Sequence, residues 1–515
     1  MHDPADPTRP DPTRPEPTRL EPTGLVDLAA RRLGGMVLAA SDEFFAAKEN
    51  LLEPLPPVFD PLAYSDRGKV MDGWETRRRR DPSGDPSHDW CIVRLGVTGI
   101  IDAVLVDTSH FRGNYPAAFE LWGTLTDGGP PGEDADWVQL RPRSDLRGDA
   151  AQRFDVDAPL RVSHVRFDIH PDGGVARLRL LGRPLVDLRL AADHSGRLDL
   201  AAIINGGRAV GCSDAFFSAP TNLLMVGDGR DMSDGWETTR RRGPGHDVAI
   251  IELATTGRVE RIELDTTNFK GNHPDRCDVL ALDAPDADPD ELPADGWTPL
   301  VLGHPMQPHA RHVIDVEEPT VATHLQLRIH PDGGVARLRA RGFVTEEGWQ
   351  RNTVALLDAA SDDRAHEVLL ACCGSTAWVE AMLERRPFGR PSRLLDAADS
   401  CWTNPQPDDV LEALAAHPRI GERSASRWST REQADAQAGE QTVLDRIAEG
   451  NRLYEERFGH VFLIRAAGRS AEEILDALEE RLDHPHQTEI AVAAEEQRQI
   501  TALRLQALLR EGVPG

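Results

Sequence analysis

Ile169-His-Pro-Asp-Gly-Gly-Val-Ala-Arg-Leu-Arg179 returns letter for letter as Ile329 to Arg339. An identity that long does not arise by chance, and reading outward from each copy finds further pairs in the same order, so the chain contains a duplicated domain. Ser41-Asp-Glu-Phe-Phe45 and Asn50-Leu-Leu52 reappear as Ser213-Asp-Ala-Phe-Phe217 and Asn222-Leu-Leu224. Asp72-Gly-Trp-Glu-Thr76 reappears as Asp234-Gly-Trp-Glu-Thr238, and His88-Asp89 as His246-Asp247. Phe111-Arg-Gly-Asn-Tyr-Pro116 matches Phe269-Lys-Gly-Asn-His-Pro274. Nothing after about Phe343 belongs to this pattern.

At 515 residues the chain is too long for one ordinary domain, and domains of roughly 100 to 200 residues suggest three. A net charge of −28 argues against nucleic acid as a partner, because such a binder needs a cationic footprint to displace phosphate counterions. Six cysteines show no Cys-x-x-Cys spacing and no secretory signal precedes them, which reads as free thiols in a reducing, cytoplasmic setting. No apolar run approaches the roughly 20 residues of a membrane span. Residues 1 to 23 are dense in proline with almost nothing apolar to bury, and are expected to form a disordered, extended tail.

Inside each repeat, short runs alternate apolar and polar residues between Gly, Pro and Asp, as in Val162-Ser-His-Val-Arg-Phe-Asp-Ile169. Short strands at such spacing suggest a β-sandwich or jelly roll. A period of two puts Val165, Phe167 and Ile169 on the core face, and turns His164, Arg166, Asp168 and His170 the other way. In the second copy Leu325, Leu327 and Ile329 go inward, and Arg328 and His330 outward. Pro-Asp-Gly-Gly is expected to make a tight hairpin turn, with the chain returning through Val-Ala-Arg-Leu-Arg.

One copy of His-Pro-Asp-Gly-Gly reads as turn chemistry alone. The other recurring elements are not turn residues. Asp-Gly-Trp-Glu-Thr leads into Arg77 to Arg80 and Arg240 to Arg242, where a forked guanidinium can grip a carboxylate; a solvated charged loop is the alternative. Phe-x-Gly-Asn-x-Pro places an amide on a glycine-bent loop suited to ligand contact. The candidates for a polar ligand site are Asp72, Trp74, Glu75, Asn114, His170, Asp172 and Arg177, with Asp234, Trp236, Glu237, Asn272, His330, Asp332 and Arg337 in the second copy.

These elements in combination resemble allantoicase, over roughly residues 25 to 343. The resemblance implies two tandem all-β jelly-roll domains of the galactose-binding-like kind, and hydrolysis of allantoate to ureidoglycolate and urea. The residue types suit a small carboxylate flanked by ureido groups, with a His or Glu moving the proton needed for C–N cleavage. His110 stands where the second copy has Asn268, and Tyr115 where it has His273, so the two sites need not be equivalent. Whether this part takes a divalent metal stays open, since no firm ligand spacing is visible.

From about Arg341 turns thin out and helical periodicity begins. Ser361 is placed to cap a helix through Val368, Leu369, Cys372 and Cys373 that Gly374 stops. Asp408 to Ala416 reads as another, with Val410, Leu411 and Leu414 on one face and its end where His417 meets Pro418. Ser470-Ala-Glu-Glu473 is a capping box opening a helix lined by Ile474, Leu475, Leu478 and Leu482. The last helix, Thr488 to Arg510, is expected to bury Ile500, Leu503 and Ala507, with Arg504 bordering that stripe. His417 sits at a helix C-terminus, where the macrodipole is expected to raise its pKa toward working pH.

Cys372-Cys-Gly-Ser375, Arg386-Pro-Phe388, His417-Pro-Arg-Ile-Gly421, Trp428-Ser-x-x-Glu-Gln433, Tyr454-Glu-x-Arg-Phe-Gly459 and Phe462-Leu-Ile-Arg-Ala466 resemble 2-oxo-4-hydroxy-4-carboxy-5-ureidoimidazoline (OHCU) decarboxylase, over about residues 350 to 513. The resemblance implies an all-α domain that makes (S)-allantoin from an unstable urate breakdown product without a cofactor. His417 matches the family's catalytic proton donor, Glu432 its acidic partner, and Arg504 the cation for the substrate's carboxylate. Pro418, Ser429, Glu432, Gln433 and Phe462, Leu463, Ile464, Arg465 and Ala466 fall on its substrate-contact segments. Glu432 is preferred over Glu440 because Trp428-Ser429 precedes it. Loss of carbon dioxide leaves electrons that must be delocalised and then trapped by a proton, which a cationic Arg and a protonatable His supply.

The expected organisation is a tail over 1–23, jelly rolls over 24–190 and 191–345, and an all-α domain over 346–515. The chain reads as a bifunctional enzyme of urate catabolism acting on small ureides, with neither nucleic acid nor membrane as partner. Ring opening of allantoin lies between the two steps, which makes a separate allantoinase a candidate partner; a homo-oligomer is left open. The rival is a jelly-roll pair that is only a ligand-binding scaffold beside an active decarboxylase.

Overall fold

The computed structural model describes residues 21–22, 24–80, 87–126, 129–288, 291–417, 441–466 and 469–513. It divides into two compact units, residues 1–348 and 349–515. Most of the proline-dense tract lies outside the described residues; Glu21 and Pro22 pair with Cys212 and Gly211.

The first repeat is built on β1 (Met36–Ala40), β2 (Trp74–Glu75), β3 (Asp89–Asp107), β4 (Ala118–Thr124), β5 (Val138–Asp145), β6 (Ala151–Asp155), β7 (Arg161–His170), β8 (Gly174–Val175) and β9 (Arg177–Pro184). The 19-residue β3 serves two layers. Its first half pairs with β1 and β7, and its second half with β6 and β9. Beyond β7 the first layer continues through β4 to β5. Phe119 of the first layer meets Phe154 of the second at 4.9 Å between ring centroids, and Val165, Phe167 and Ile169 are fully buried between them. Each such side chain contributes about 1.5–3 kcal/mol of burial.

The second repeat follows the same plan in β10 (Arg208–Cys212), β11 (Trp236–Glu237), β12 (Asp247–Asp265), β13 (Arg276–Leu282), β14 (Thr298–Pro305), β15 (Arg311–His330), β16 (Gly334–Val335) and β17 (Arg337–Val344). The long β12 again pairs on both halves, with β10, β15 and β17.

Two expectations are corrected here. Pro171-Asp-Gly-Gly174 is not a hairpin turn: both edges of β7 are already taken by β3 and β4, so the chain crosses to the other layer, touching β2 through β8 on the way. The face of β7 turned away from Val165, Phe167 and Ile169 is covered as well: His164, Asp168 and His170 are buried, beside Thr126, His88 and Glu120; Arg328 and His330 of the second repeat are half-buried.

The paired glycines answer to packing. Gly173 takes φ 144° and Gly333 φ 136°, which favours glycine. A Cβ on Gly174 would lie 2.0 Å from the Phe111 ring, and one on Gly334 2.0 Å from the Phe269 ring. The glycine and the phenylalanine of the two conserved-spacing elements are thus halves of one contact.

The helices are α1 (Glu346–Asp358), which begins in the last residues of the first unit, and, in the second unit, α2 (Asp362–Cys373), α3 (Thr376–Leu383), α4 (Pro391–Cys401), α5 (Pro407–Ala415), α6 (Gln441–Phe458), α7 (Ala471–Leu482) and α8 (His486–Glu511). Ser361 caps α2 and Gly374 ends it in the left-handed region, and the Ser470–Glu473 capping box opens α7 as read. Of the inner stripe expected on α8, Ile500 and Ala507 are buried as read and Leu503 is not. Leu505 and Leu508 enter the core, Leu503 is half-buried, and Arg504 itself is buried. On α5, Ala413 rather than Leu411 joins Val410 and Leu414 inside.

Gly174→Ala and Gly334→Ala are each expected to overpack the phenylalanine contact and cost about 1–3 kcal/mol. A lowered thermal midpoint in calorimetry checks this; unchanged midpoints in both would refute the packing role.

Candidate active sites

In the first repeat the crossing loop gathers two elements that are far apart in sequence. Gly174 pairs with Glu75 in the β2–β8 ladder, and its N–H donates to the Asn114 carbonyl at 2.7 Å. Asn114 Nδ2 in turn donates to Glu75 Oε1 at 2.6 Å. Glu75 is buried, and burial pushes its carboxyl above the usual range against the opposing Asn114 amide. Asp72 goes the other way. Burial raises it, but the Arg177 guanidinium and the Val58 N–H, both 2.8 Å from Oδ2, outweigh burial and hold it below the usual range. His110, at φ 71°, is anchored by its N–H on Asp149 Oδ1 at 2.8 Å, and its ring stacks on Phe59. Two carboxyls driven apart in pKa are the usual signature of an acid and a base sharing a task.

A second cluster lies on the outer face of β7. His88 Nε2 is 3.2 Å from Asp168, which also accepts from Arg166. His170 Nε2 is 3.3 Å from Glu120, with the two imidazoles 4.8 Å apart. Burial, helped by Arg143 and His88, pushes His170 down to about 4, so it is neutral at pH 7. In the second repeat His330 meets Asp278 at 2.8 Å and lies 5.0 Å from His246. Among the described residues, no three His, Cys, Asp or Glu side chains are arranged to hold a metal ion.

The remaining candidates hold the frame. Trp74 and Trp236 are fully buried and donate to the Asp42 and Asp214 carbonyls at 2.8 Å. Asp172 and Asp332 accept the backbone N–H of Arg79 and Arg241 at 2.8 Å. Arg177 donates to the carbonyls of Leu55, Asn50, Asp72 and Ala176, and Arg337 to those of Gly227, Asn222, Asp234, Asp228 and Ala336. Arg77 and Arg79 are engaged by Asp42 and Asp89, and Arg241 by Asp247. Asn272 donates to Glu237 at 2.5 Å, while Asp234 is enclosed by Arg32, Arg230 and Arg337.

In the helical unit His417 follows α5, with its N–H on the Leu414 carbonyl. Arg504 Nη2 lies 3.3 Å from His417 Nδ1, and Arg504 Nη1 reaches the Cys372 carbonyl at 3.4 Å. A guanidinium only donates, so Nδ1 accepts and the imidazole proton sits on Nε2. Gln497 is fully buried and donates to the Cys373 carbonyl and Thr501 Oγ1, each at 3.0 Å. Its Oε1 and His417 Nε2 are buried without a hydrogen-bond partner among the described residues. The expected rise in the His417 pKa is corrected. Burial first, and the Arg504 cation second, push it down to about 3. A helix terminus is worth about 0.3–1 kcal/mol, less than one pK unit, whereas burial moves a group by several.

Phe462, Leu463, Ile464 and Ala466 are buried, so their side chains serve the core. Arg465 gives its N–H to Glu496 at 2.7 Å. Pro418, Ser429, Glu432 and Gln433 lie outside the described residues.

The family model for the allantoicase repeat matches residues 26–185 and 198–345, more than half of the chain. The chain belongs to the allantoicase family. The OHCU decarboxylase family model matches residues 358–506, so an OHCU decarboxylase domain is fused behind the allantoicase repeats. A probable allantoicase 2 of Burkholderia pseudomallei (strain K96243) is 44% identical over 321 residues, covering 62% of this chain and 94% of its own. A probable allantoicase of Nocardia farcinica is 45% identical over 327 residues with the same coverage. The crystal structure of Saccharomyces cerevisiae allantoicase aligns at 34% identity and a TM-score of 0.53, over 62% of this chain and 93% of its own.

Within the allantoicase half, the structure brings Glu75 to Asn114 and Asp72 to Arg177, and sets His170 apart on the outer face with His88 and Glu120. His88 and Glu120 were missed as site residues, although His88-Asp89 recurs as His246-Asp247. The alternation of β4 puts Glu120 beside β7 only once the pairing is known. Gln497 gave no signal, being one glutamine on a polar helix.

Acid stability tests the buried histidine. With His417 at about 3 in the folded chain and near 6.5 when unfolded, the unfolded state takes up the proton first as pH falls. Stability from this group is therefore present above pH 6.5 and declines as pH falls toward about 3. In His417→Asn, that part of the slope in urea midpoint against pH is expected to disappear; equal slopes would refute it.

Proposed function

We propose that the first unit hydrolyses allantoate to ureidoglycolate and urea, and that the second decarboxylates OHCU to (S)-allantoin. The observation that carries the reading is that each unit matches its own family model and gathers its own proton-moving group. In the first unit, Glu75 with its raised carboxyl suits the acid that protonates the leaving ureido nitrogen. Asp72, held ionised, suits the base that takes a proton from water.

In the second unit, Arg504 meets the substrate carboxylate and His417 Nε2 faces the carbon that loses carbon dioxide. An anion arriving beside Arg504 offsets the cation that keeps His417 neutral, so binding favours a proton on the imidazole at the moment one is needed. Glu432 and the Ser429 to Gln433 segment complete that site by resemblance. The decarboxylation is assigned no cofactor, because delocalisation into the substrate ring and a protein proton suffice. Six free cysteines support a reducing, cytoplasmic setting, and a separate allantoinase is assigned the ring opening between the two steps.

The test is the purified full chain given each substrate. Urea release from allantoate is expected, and a purely ligand-binding jelly-roll pair gives none. His417→Ala is expected to retain urea release and its circular dichroism spectrum while decarboxylation falls by at least about 100-fold, the lower range for a lost general acid. Full decarboxylation in that variant rules out the role of His417.

A further inference from the structure

We propose that allantoate is hydrolysed in the first repeat alone, and that the equivalent site of the second repeat is closed by an arginine from the first. The inference rests on the allantoicase reading and adds which copy of the duplicated site reacts.

Both copies begin with the same Asp-Gly-Trp-Glu-Thr, so the difference lies in what reaches the aspartate. In the second repeat Asp234 is 2% exposed. Its Oδ1 accepts from Arg32, and its Oδ2 from the Arg230 N–H and Nε at 3.1 Å and from Arg337 Nη2 at 3.2 Å. Arg32 belongs to the first repeat, in the turn before β1, and also donates to Asn222 Oδ1 at 3.1 Å. Each oxygen of Asp234 already has a cationic donor, and a ligand must break a buried ion pair to reach it.

The tie is not reciprocated. Leu28-Ala-Ala-Arg-Arg-Leu-Gly-Gly35 aligns with Leu200-Ala-Ala-Ile-Ile-Asn-Gly-Gly207, so Ile204 stands where Arg32 does. Asp72 carries both its donors, Arg177 and the Val58 N–H, on Oδ2. Its Oδ1 has no partner among the described residues, and its side chain is 31% exposed.

Two further differences point the same way. Nineteen residues separate Leu52 from Asp72, against nine between Leu224 and Asp234. The longer loop supplies the Val58 N–H to Asp72 and the Pro57 carbonyl, 3.3 Å from His110 Nε2. His110 brings an imidazole within electrostatic reach of Asp72. Asn268, its counterpart, has no imidazole and gives its amide to the Gly229 carbonyl at 2.9 Å.

In the first repeat the open Asp72 oxygen takes a proton from water as the water oxygen bonds to the central carbon of allantoate. The C–N bond to one ureido group breaks and Glu75 protonates the leaving nitrogen. The products are urea and ureidoglycolate, with no redox change.

The full chain is tested as Glu75→Gln, His110→Asn and Glu237→Gln, each checked for an unchanged melting temperature. Glu75→Gln is expected to lower kcat for urea release by at least about 100-fold, and His110→Asn, which copies the second repeat, by about tenfold or more. Glu237→Gln is expected to stay within about twofold of the native rate. Calorimetric titration of Glu75→Gln with allantoate is expected to give one molecule per chain. A loss in Glu237→Gln equal to that in Glu75→Gln, or two allantoate molecules per chain, overturns the proposal. A native chain that binds one allantoate but releases no urea sinks the activity assignment and leaves the closure of the second site standing.

Discussion

The interaction on which the allantoicase half depends is the grip of two buried arginines on backbone carbonyls. Arg177 and Arg337, each 4% exposed, follow the crossing loop and send their donors into the loop that precedes Asp-Gly-Trp-Glu and into that element itself. A guanidinium taken out of water must keep nearly all its N–H groups bonded. Leaving one such donor unpaired costs about 1–3 kcal/mol, so the arginine ties the loop and the short β2 or β11 strand in place. Glu75 and Asp72 inherit their positions from that arrangement.

The same physics sets the chemistry in both units. Burial alone would neutralise every titratable group, and what distinguishes them is the neighbour each one meets. Asp72 faces a cation and stays ionised; Glu75 faces only an amide and is pushed up. His417 faces Arg504, so its neutral form is favoured twice over.

Much of this was legible in the sequence. The repeated eleven residues located the duplication, and the period of two correctly sent Val165, Phe167 and Ile169 inward. Where the reading failed, the cause was a contact from far along the chain. Alternation separates His164, Asp168 and His170 from the core-facing side of β7, but it does not say that they are buried too. A turn-like Pro-Asp-Gly-Gly cannot announce that β3 and β4 already occupy both edges of β7. Likewise, the helix end beside His417 is local and visible, while the burial that reverses its effect, helped by Arg504 from 87 residues away, is not. The glycine pair looked like turn chemistry until the Phe111 ring was seen to need the space.

The strands shared between layers also govern how the repeats come apart. Because β3 and β12 are single rods whose two ends pair in different layers of one continuous sheet, melting of one layer disturbs the ladder of the other. Amide protons along both strands should therefore exchange with solvent only through global opening, and a protease should find no half-unzipped sandwich to cut.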